Sequence, residues 1–104
     1  MKVLLDECVN SRLRRLILDH QVTTAVKMGW SGIQNGRLLS RAVDAGFQAF
    51  ITLDKSLSYQ NHVASYPIAV IVMRVRSNSI ADFKPLVPEL LVALENPLPE
   101  RLSF

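Results

Sequence analysis

The sequence is poor in cysteine and in long apolar runs, and each scarcity excludes a class of protein. Cys8 is the one cysteine among 104 residues, so the chain cannot form an internal disulfide, which suits a reducing compartment. The first apolar run ends at Leu5, which is too short for the core of a signal peptide. No stretch approaches the roughly 20 apolar residues of a membrane span. We therefore expect a cytoplasmic protein that does not enter the membrane.

Apolar residues are plentiful enough to build a core. They make up 49% of the chain, and its length predicts a single domain over 1–104. The formal net charge of +3 is a mild basic bias, compatible with an acidic partner such as nucleic acid. The basic residues form two groups: Arg12, Arg14 and Arg15, and then Arg74 and Arg76. We interpret the first group as a solvated helix face.

The apolar pattern predicts four or five strands. Residues 3–5 and 68–73 are continuous apolar runs, which is typical of strands buried on both faces. Residues 21–25 and 47–53 predict two further strands. The final residues, RLSF, predict either an edge strand or a frayed end.

Helices are predicted between the strands. Asn10 is a plausible N-cap for a helix over 11–19, and a second helix over 36–45 ends at Gly46. Prolines after residue 84 predict a short turn near 79–83 and then a helix over 85–95. This alternation predicts a small three-layer α/β/α domain with a mainly parallel sheet.

Two of the predicted strands run directly into acids. Asp6 and Glu7 follow the first strand, and Asp54 follows the third. Ligands of such sheets bind beyond the carboxyl ends of the strands, where the strand order reverses. If the two strands are neighbours, about 5 Å apart, the aspartates repel each other unless a cation lies between them or one carboxylate holds a proton. Mg²⁺ or Mn²⁺ is the cation that suits oxygen ligands. The simpler interpretation is that each aspartate caps a helix or starts a turn.

Several motifs resemble a known family. The segments "MKVLLDECVNSRL", "NGRLL", "TLDKSL" and "PIAVIVMRVRSN" resemble the short PIN-like domain proteins found as toxins of toxin–antitoxin pairs. The resemblance implies a PIN-like fold whose acid cluster holds Mg²⁺ or Mn²⁺ and cleaves RNA. On the matching positions it implies Asp6 and Asp54 as metal ligands and catalytic residues. It also implies an RNA substrate and a cognate antitoxin protein.

The sequence departs from the family pattern at one acid. The family has a further carboxylate where this chain reads "NGRLL", which holds Asn35 and Arg37 instead. Asp44 lies about two helical turns further on, too far to replace it. Glu7 is the candidate auxiliary catalytic acid. Arg37 itself is the candidate for pairing with the carboxylates.

Polar and basic residues near the acids are candidates for binding substrate. The candidate contacts to the phosphate backbone of RNA follow the strand ends, namely Lys55, Arg74, Asn10, Asn61 and Asn78. The resemblance also makes the amide of Asn61 a candidate fourth ligand of the metal. Cys8 is predicted to be a small core residue.

The missing acid leaves an alternative function open. A PIN-like module that has lost catalysis would bind a protein or RNA partner without cleaving it. A homodimer is a further candidate assembly, since the leucine-rich segment 83–94 carries more apolar residues than one core needs. A receiver-type regulatory domain also groups acids beside a lysine, but its lysine follows a later strand.

Overall fold

The apolar runs form strands of one parallel sheet. The structure, a computed structural model, describes residues 1–55 and 66–95 and the backbone of 101–103. Five strands occur in these ranges: β1 (Lys2–Leu5), β2 (Gln21–Thr24), β3 (Ala49–Thr52), β4 (Ala69–Val72) and β5 (Arg101–Ser103). Every residue of β3 and β4 is buried, as continuous apolar strands require.

The order of the strands in the sheet reverses between β1 and β3. The described strands lie in the order β2-β1-β3-β4-β5, and all four neighbouring pairs are parallel. Because the chain moves from β1 to β2 on one side and then to β3 on the other, the order reverses between β1 and β3. This is a common doubly wound order, and its crevice lies at the carboxyl ends of those two strands.

Helices cover both faces of the sheet. Alternate residues of β1 point to opposite faces, so Leu4 packs in one cluster and Leu5 in the other. Helix α1 (Asn35–Asp44) covers the Leu4 face. A 3₁₀ helix (Ser11–Leu16) and two later helices, α2 (Ile80–Phe83) and α3 (Val87–Glu95), cover the other. No helix in the described ranges is long and apolar enough to cross a bilayer. The predicted three-layer α/β/α arrangement is confirmed.

The first helix is shorter and tighter than predicted. The prediction of a helix over 11–19 is wrong in its end, because the 3₁₀ helix stops at Leu16 and Leu18 is 82% exposed. Its six residues rise about 12 Å at 2.0 Å each. A four-residue strand is about 13 Å long, so the 3₁₀ helix covers a length similar to that of one strand of the sheet. An α-helix of equal length would reach only about 9 Å.

Prolines divide the last helical segment. The helix predicted over 85–95 begins at Val87, and a 3₁₀ turn, Lys84–Leu86, precedes it with Pro85 in its first turn. The turn predicted near 79–83 is the short helix α2, which buries Phe83 completely. The 3₁₀ turn suits Pro85, because a first turn does not need its missing amide donor.

Candidate active site

The structure brings Asp6 and Asp54 to one edge of the sheet. Asp6 directly follows β1, and Asp54 comes two residues after β3. The two strands pair in parallel with Leu5 opposite Ile51, and the amide of Asp6 continues that ladder by donating to the carbonyl of Ile51 at 2.9 Å. The two acids therefore flank the β1/β3 switch point, where ligands of doubly wound sheets bind.

The carboxylate of Asp6 is buried and accepts three hydrogen bonds. Asp6 is only 8% exposed. Its Oδ1 accepts from the amide of Glu7 at 2.8 Å, and its Oδ2 accepts from the Thr52 hydroxyl at 2.7 Å and the Cys8 thiol at 3.5 Å. These donors offset the cost of burying a charge. A carboxylate has about four acceptor positions, so one position remains for a further contact.

Thr52 connects the two acids. Its side chain is fully buried at the end of β3, where its hydroxyl donates to Asp6 Oδ2 and accepts from the amide of Asp54 at 3.1 Å. One hydroxyl thus fixes both the side chain of Asp6 and the backbone of Asp54. Sequence reasoning missed Thr52, although the "T-x-D" motif contained it.

Asn35, in the helix that covers one face of the sheet, donates a hydrogen bond to the side chain of Asp54. Asn35 is the first residue of α1, and its Nδ2 donates to Asp54 Oδ2 at 3.1 Å. This amide occupies the region where the family resemblance expects a carboxylate. Arg37 is exposed and, within the described ranges, its side chain makes no hydrogen bond or ion pair with either aspartate. The hypothesis that Arg37 neutralises the acids is therefore not supported by the geometry.

Glu7 lies on the β2 side of Asp6, away from β3. Its side chain is exposed, and its Oε1 accepts from the amide of Gly32 at 3.1 Å, in the loop that follows β2. Glu7 and Asp6 line a cavity of about 320 Å³ whose other walls include Thr24 and Val26. Glu7, the candidate auxiliary acid, is thus held by the loop after β2, whereas Asp54 is held by residues of α1 and β3.

Cys8 is exposed, so the prediction that it is a small core residue is wrong. The chain turns outward after β1, and the Cys8 thiol lies against the carboxylate of Asp6 and 3.9 Å from the Thr52 hydroxyl. Partial burial of the thiol raises the pKa of Cys8, and the negative charge of Asp6 raises it further. The group is therefore a protonated thiol at neutral pH, able to donate to Asp6.

Asn10 and Asn78, two predicted substrate contacts, bind each other. The amide of Asn10 donates to Asn78 Oδ1, and Asn10 Nδ2 donates to the carbonyl of Asn78, both at 2.8 Å. Asn78 Nδ2 also donates to the carbonyl of Cys8 at 2.9 Å. We call this set of contacts the Asn10–Asn78 clamp. It joins the loop after β1 to the loop after β4.

Of the other three predicted substrate contacts, the structure describes Lys55 and Arg74. Lys55 is exposed directly after Asp54, and Arg74 is exposed shortly after β4. Both therefore follow the carboxyl edge that carries the acids. Asn61 lies outside the described residues, as does most of the loop and short helix predicted after Asp54.

The donor set at this edge fits a hard divalent cation that keeps much of its water. Asp6 and Asp54 supply carboxylate oxygens, which Mg²⁺ and Mn²⁺ prefer, and Mg²⁺ is usually held by one or two carboxylates together with substrate phosphates. Within 1–55 and 66–95, no group of three or more His, Cys, Asp and Glu side chains is arranged to hold an ion. The residues therefore fit a weakly held ion, not a closed cage made only of protein ligands.

Comparisons with known proteins identify no relative of this chain. No protein-family model, no curated protein and no solved structure matches the chain. The resemblance to PIN-like proteins thus depends on the motifs quoted above, and membership of that family stays a prediction.

Proposed function

We propose that this protein is a PIN-like, Mg²⁺- or Mn²⁺-dependent ribonuclease. The observation that carries the proposal is the pair of aspartates at the β1/β3 switch point, linked by the buried hydroxyl of Thr52. Carboxylates at such an edge are suited to holding a divalent ion. The reaction would be hydrolysis of a phosphodiester bond.

Each residue at the edge has a distinct part in the proposed reaction. Asp6 and Asp54 would hold the ion, which supplies activation of water and neutralisation of phosphate charge when bound. Thr52 orients the carboxylate of Asp6, and Asn35 orients that of Asp54. Lys55 and Arg74, exposed after the same strand ends, would attract the phosphate backbone of RNA.

The proposal includes a biological role and a protein partner. The resemblance supports a cytoplasmic toxin restrained by a cognate antitoxin, with a homodimer as a second assembly. Leu18 and Val92 are 82% and 68% exposed, respectively, and a protein partner would remove such apolar side chains from water.

An RNA cleavage assay tests the proposed activity. Wild-type protein with Mn²⁺ should cleave single-stranded RNA, EDTA should abolish cleavage, and Asp54→Asn should lower the rate at least 100-fold, since general acid–base and electrostatic terms are of about this size. Asp44→Asn is the matched control, because Asp44 is exposed at the far end of α1. Cleavage that survives in Asp54→Asn would contradict the proposal.

A second candidate function is a binding module that does not cleave. The observation that favours it is the amide of Asn35 in contact with Asp54, where a nuclease would place another carboxylate. In addition, protein donors alone already occupy three acceptor positions of Asp6. The same assay separates the candidates, because an inert module binds RNA or protein but gives no Mn²⁺-dependent products.

A further inference from the structure

Two groups of exposed arginines, distant in sequence, each come after a strand that ends at the carboxyl edge of the sheet. The first group is on the 3₁₀ helix after β1, and the second follows β4; the members are Arg12, Arg14, Arg15, Arg74 and Arg76, all exposed. About 60 residues separate the groups along the chain. The strands that precede them are both parallel to β3, so each group follows a carboxyl end of the sheet.

The Asn10–Asn78 clamp ties the two groups together. Arg12 lies two residues after Asn10, and Arg76 lies two residues before Asn78, so each is at most about 7 Å along the chain from the clamp. The clamp itself is three hydrogen bonds of 2.8–2.9 Å. The 3₁₀ helix also contacts α2, which follows the second group. We call Arg12 and Arg76, which flank the clamp, the basic surface; it lies near Asp6, because the clamp reaches the carbonyl of Cys8.

Neither arginine of the basic surface is held in an ion pair within the described ranges. The carboxylate of Asp82, which follows Arg76 by six residues, accepts hydrogen bonds from the amide and hydroxyl of Ser77. Unpaired guanidinium groups are well suited to phosphate, which they bind through two parallel hydrogen bonds.

We propose that the basic surface binds the phosphate backbone of single-stranded RNA and leads it to Asp6 and Asp54. Neither 10–16 nor 74–79 contains an aromatic residue, so bases have no stacking partner in these segments, and the contacts would be independent of sequence. This inference rests on the proposed function in taking RNA as the substrate, but binding needs neither metal nor cleavage.

The test is the affinity for a fluorescent single-stranded oligouridylate in EDTA, measured by anisotropy over a series of salt concentrations. The double variant Arg12→Gln/Arg76→Gln removes two phosphate contacts. Because each contact contributes about 0.7 to the salt slope on single strands, the slope should fall by about 1.4 and the affinity at 0.1 M salt by roughly 25-fold. The matched control is Lys27→Gln/Arg41→Gln, which removes two exposed charges on the α1 side of the sheet.

A third variant separates the clamp from net charge. Asn78→Ala removes side-chain bonds of the clamp without changing charge, so it should also weaken RNA binding if the clamp assembles the surface. Thermal unfolding of each variant checks that it is folded at the temperature of the assay. A folded Asn78→Ala variant that binds RNA like the wild type would overturn the role of the clamp.

The remaining outcomes either support or overturn the basic surface. Equal weakening by the two double variants, or no saturable binding by the wild type, would overturn it. Arginine-dependent binding without any Mn²⁺-dependent cleavage would support the surface while the ribonuclease proposal fails. Cleavage that depends on Asp54, with wild-type binding by Arg12→Gln/Arg76→Gln, would overturn the surface and leave the ribonuclease proposal intact.

Discussion

The hydroxyl of Thr52 links the two aspartates of the candidate site. It is fully buried, and it donates to the carboxylate of Asp6 while accepting from the amide of Asp54. A buried carboxylate that loses a donor is left with part of its desolvation cost uncompensated. Thr52 therefore contributes both to stability and to the placement of the two candidate ligands.

Replacing Thr52 by valine should destabilise the protein although the shape is nearly unchanged. Thr52→Val removes both hydrogen bonds and should lower the free energy of unfolding by about 1–3 kcal/mol. Thr52→Ser keeps the hydroxyl and loses one methyl group, which costs about 0.8 kcal/mol. Urea unfolding of the two variants measures the difference. A valine variant as stable as the wild type would show that the hydroxyl contributes nothing.

The thiol of Cys8 should react slowly and only at alkaline pH. Burial and the nearby Asp6 raise the pKa of Cys8, so the reactive thiolate should appear at a higher pH in the folded protein than in urea. The rate of alkylation by iodoacetamide, followed against pH, measures this. Equal titration of the folded and unfolded thiol would contradict the account.

The raised pKa of Cys8 also predicts how the stability of the protein changes with pH. Because the folded state holds the thiol proton more tightly than the unfolded state, its stabilising contribution is complete below the unfolded pKa. It is lost as the pH rises through the higher folded pKa of Cys8. Cys8→Ser should remove this alkaline part of the pH dependence.

At the residue scale, the sequence predicted which acids share an edge but not what holds them. Asp6 and Asp54 each follow an apolar strand, and parallel strands bring such residues to one side. The partners Thr52 and Asn35 depend on strand register and on where α1 begins, which hydrophobic pattern does not specify. Cys8 was mispredicted because its small apolar character says nothing about the direction of the turn after β1.

At the element scale, the 3₁₀ helix depends on its first cap. Asn10 Oδ1 accepts from the amide of Arg12 at 3.0 Å, while Nδ2 of the same side chain contributes to the clamp. The N-cap was predicted from sequence, because asparagine before an apolar periodic segment is a local signal. The helix type was not predicted, because the apolar pattern of this short segment does not distinguish a 3₁₀ helix from an α-helix.

Two substitutions of Asn10 separate its cap from its clamp. Asn10→Ala loses the cap and the one clamp bond that the Asn10 side chain donates, and the cap alone is typically about 1 kcal/mol. Asn10→Asp keeps an acceptor for the amide of Arg12 but sets a carboxylate oxygen against the Asn78 carbonyl in place of the donor; if the cap dominates, it should still be the more stable variant. Thermal and urea unfolding measure the order. If the aspartate variant is the less stable one, the cap is not the dominant contribution.

At the scale of the whole molecule, the strand order decides where function can lie. The continuous apolar strands predicted a parallel sheet, and that prediction is confirmed. From the sequence, the adjacency of β1 and β3 could only be assumed. Pairing between strands is set by tertiary packing, which the periodicity of apolar residues does not reveal. With that order, the sheet has its switch point between the two acid-bearing strands.

The central claim is that Asp6 and Asp54 together hold a divalent ion at this switch point. Titration calorimetry with Mn²⁺ tests it on the wild type, on Asp54→Asn and on the distant control Asp44→Asn. We expect saturable binding by the wild type and by Asp44→Asn, and no binding by Asp54→Asn. Absence of binding by the wild type at millimolar Mn²⁺, or equal binding by all three proteins, would contradict the claim.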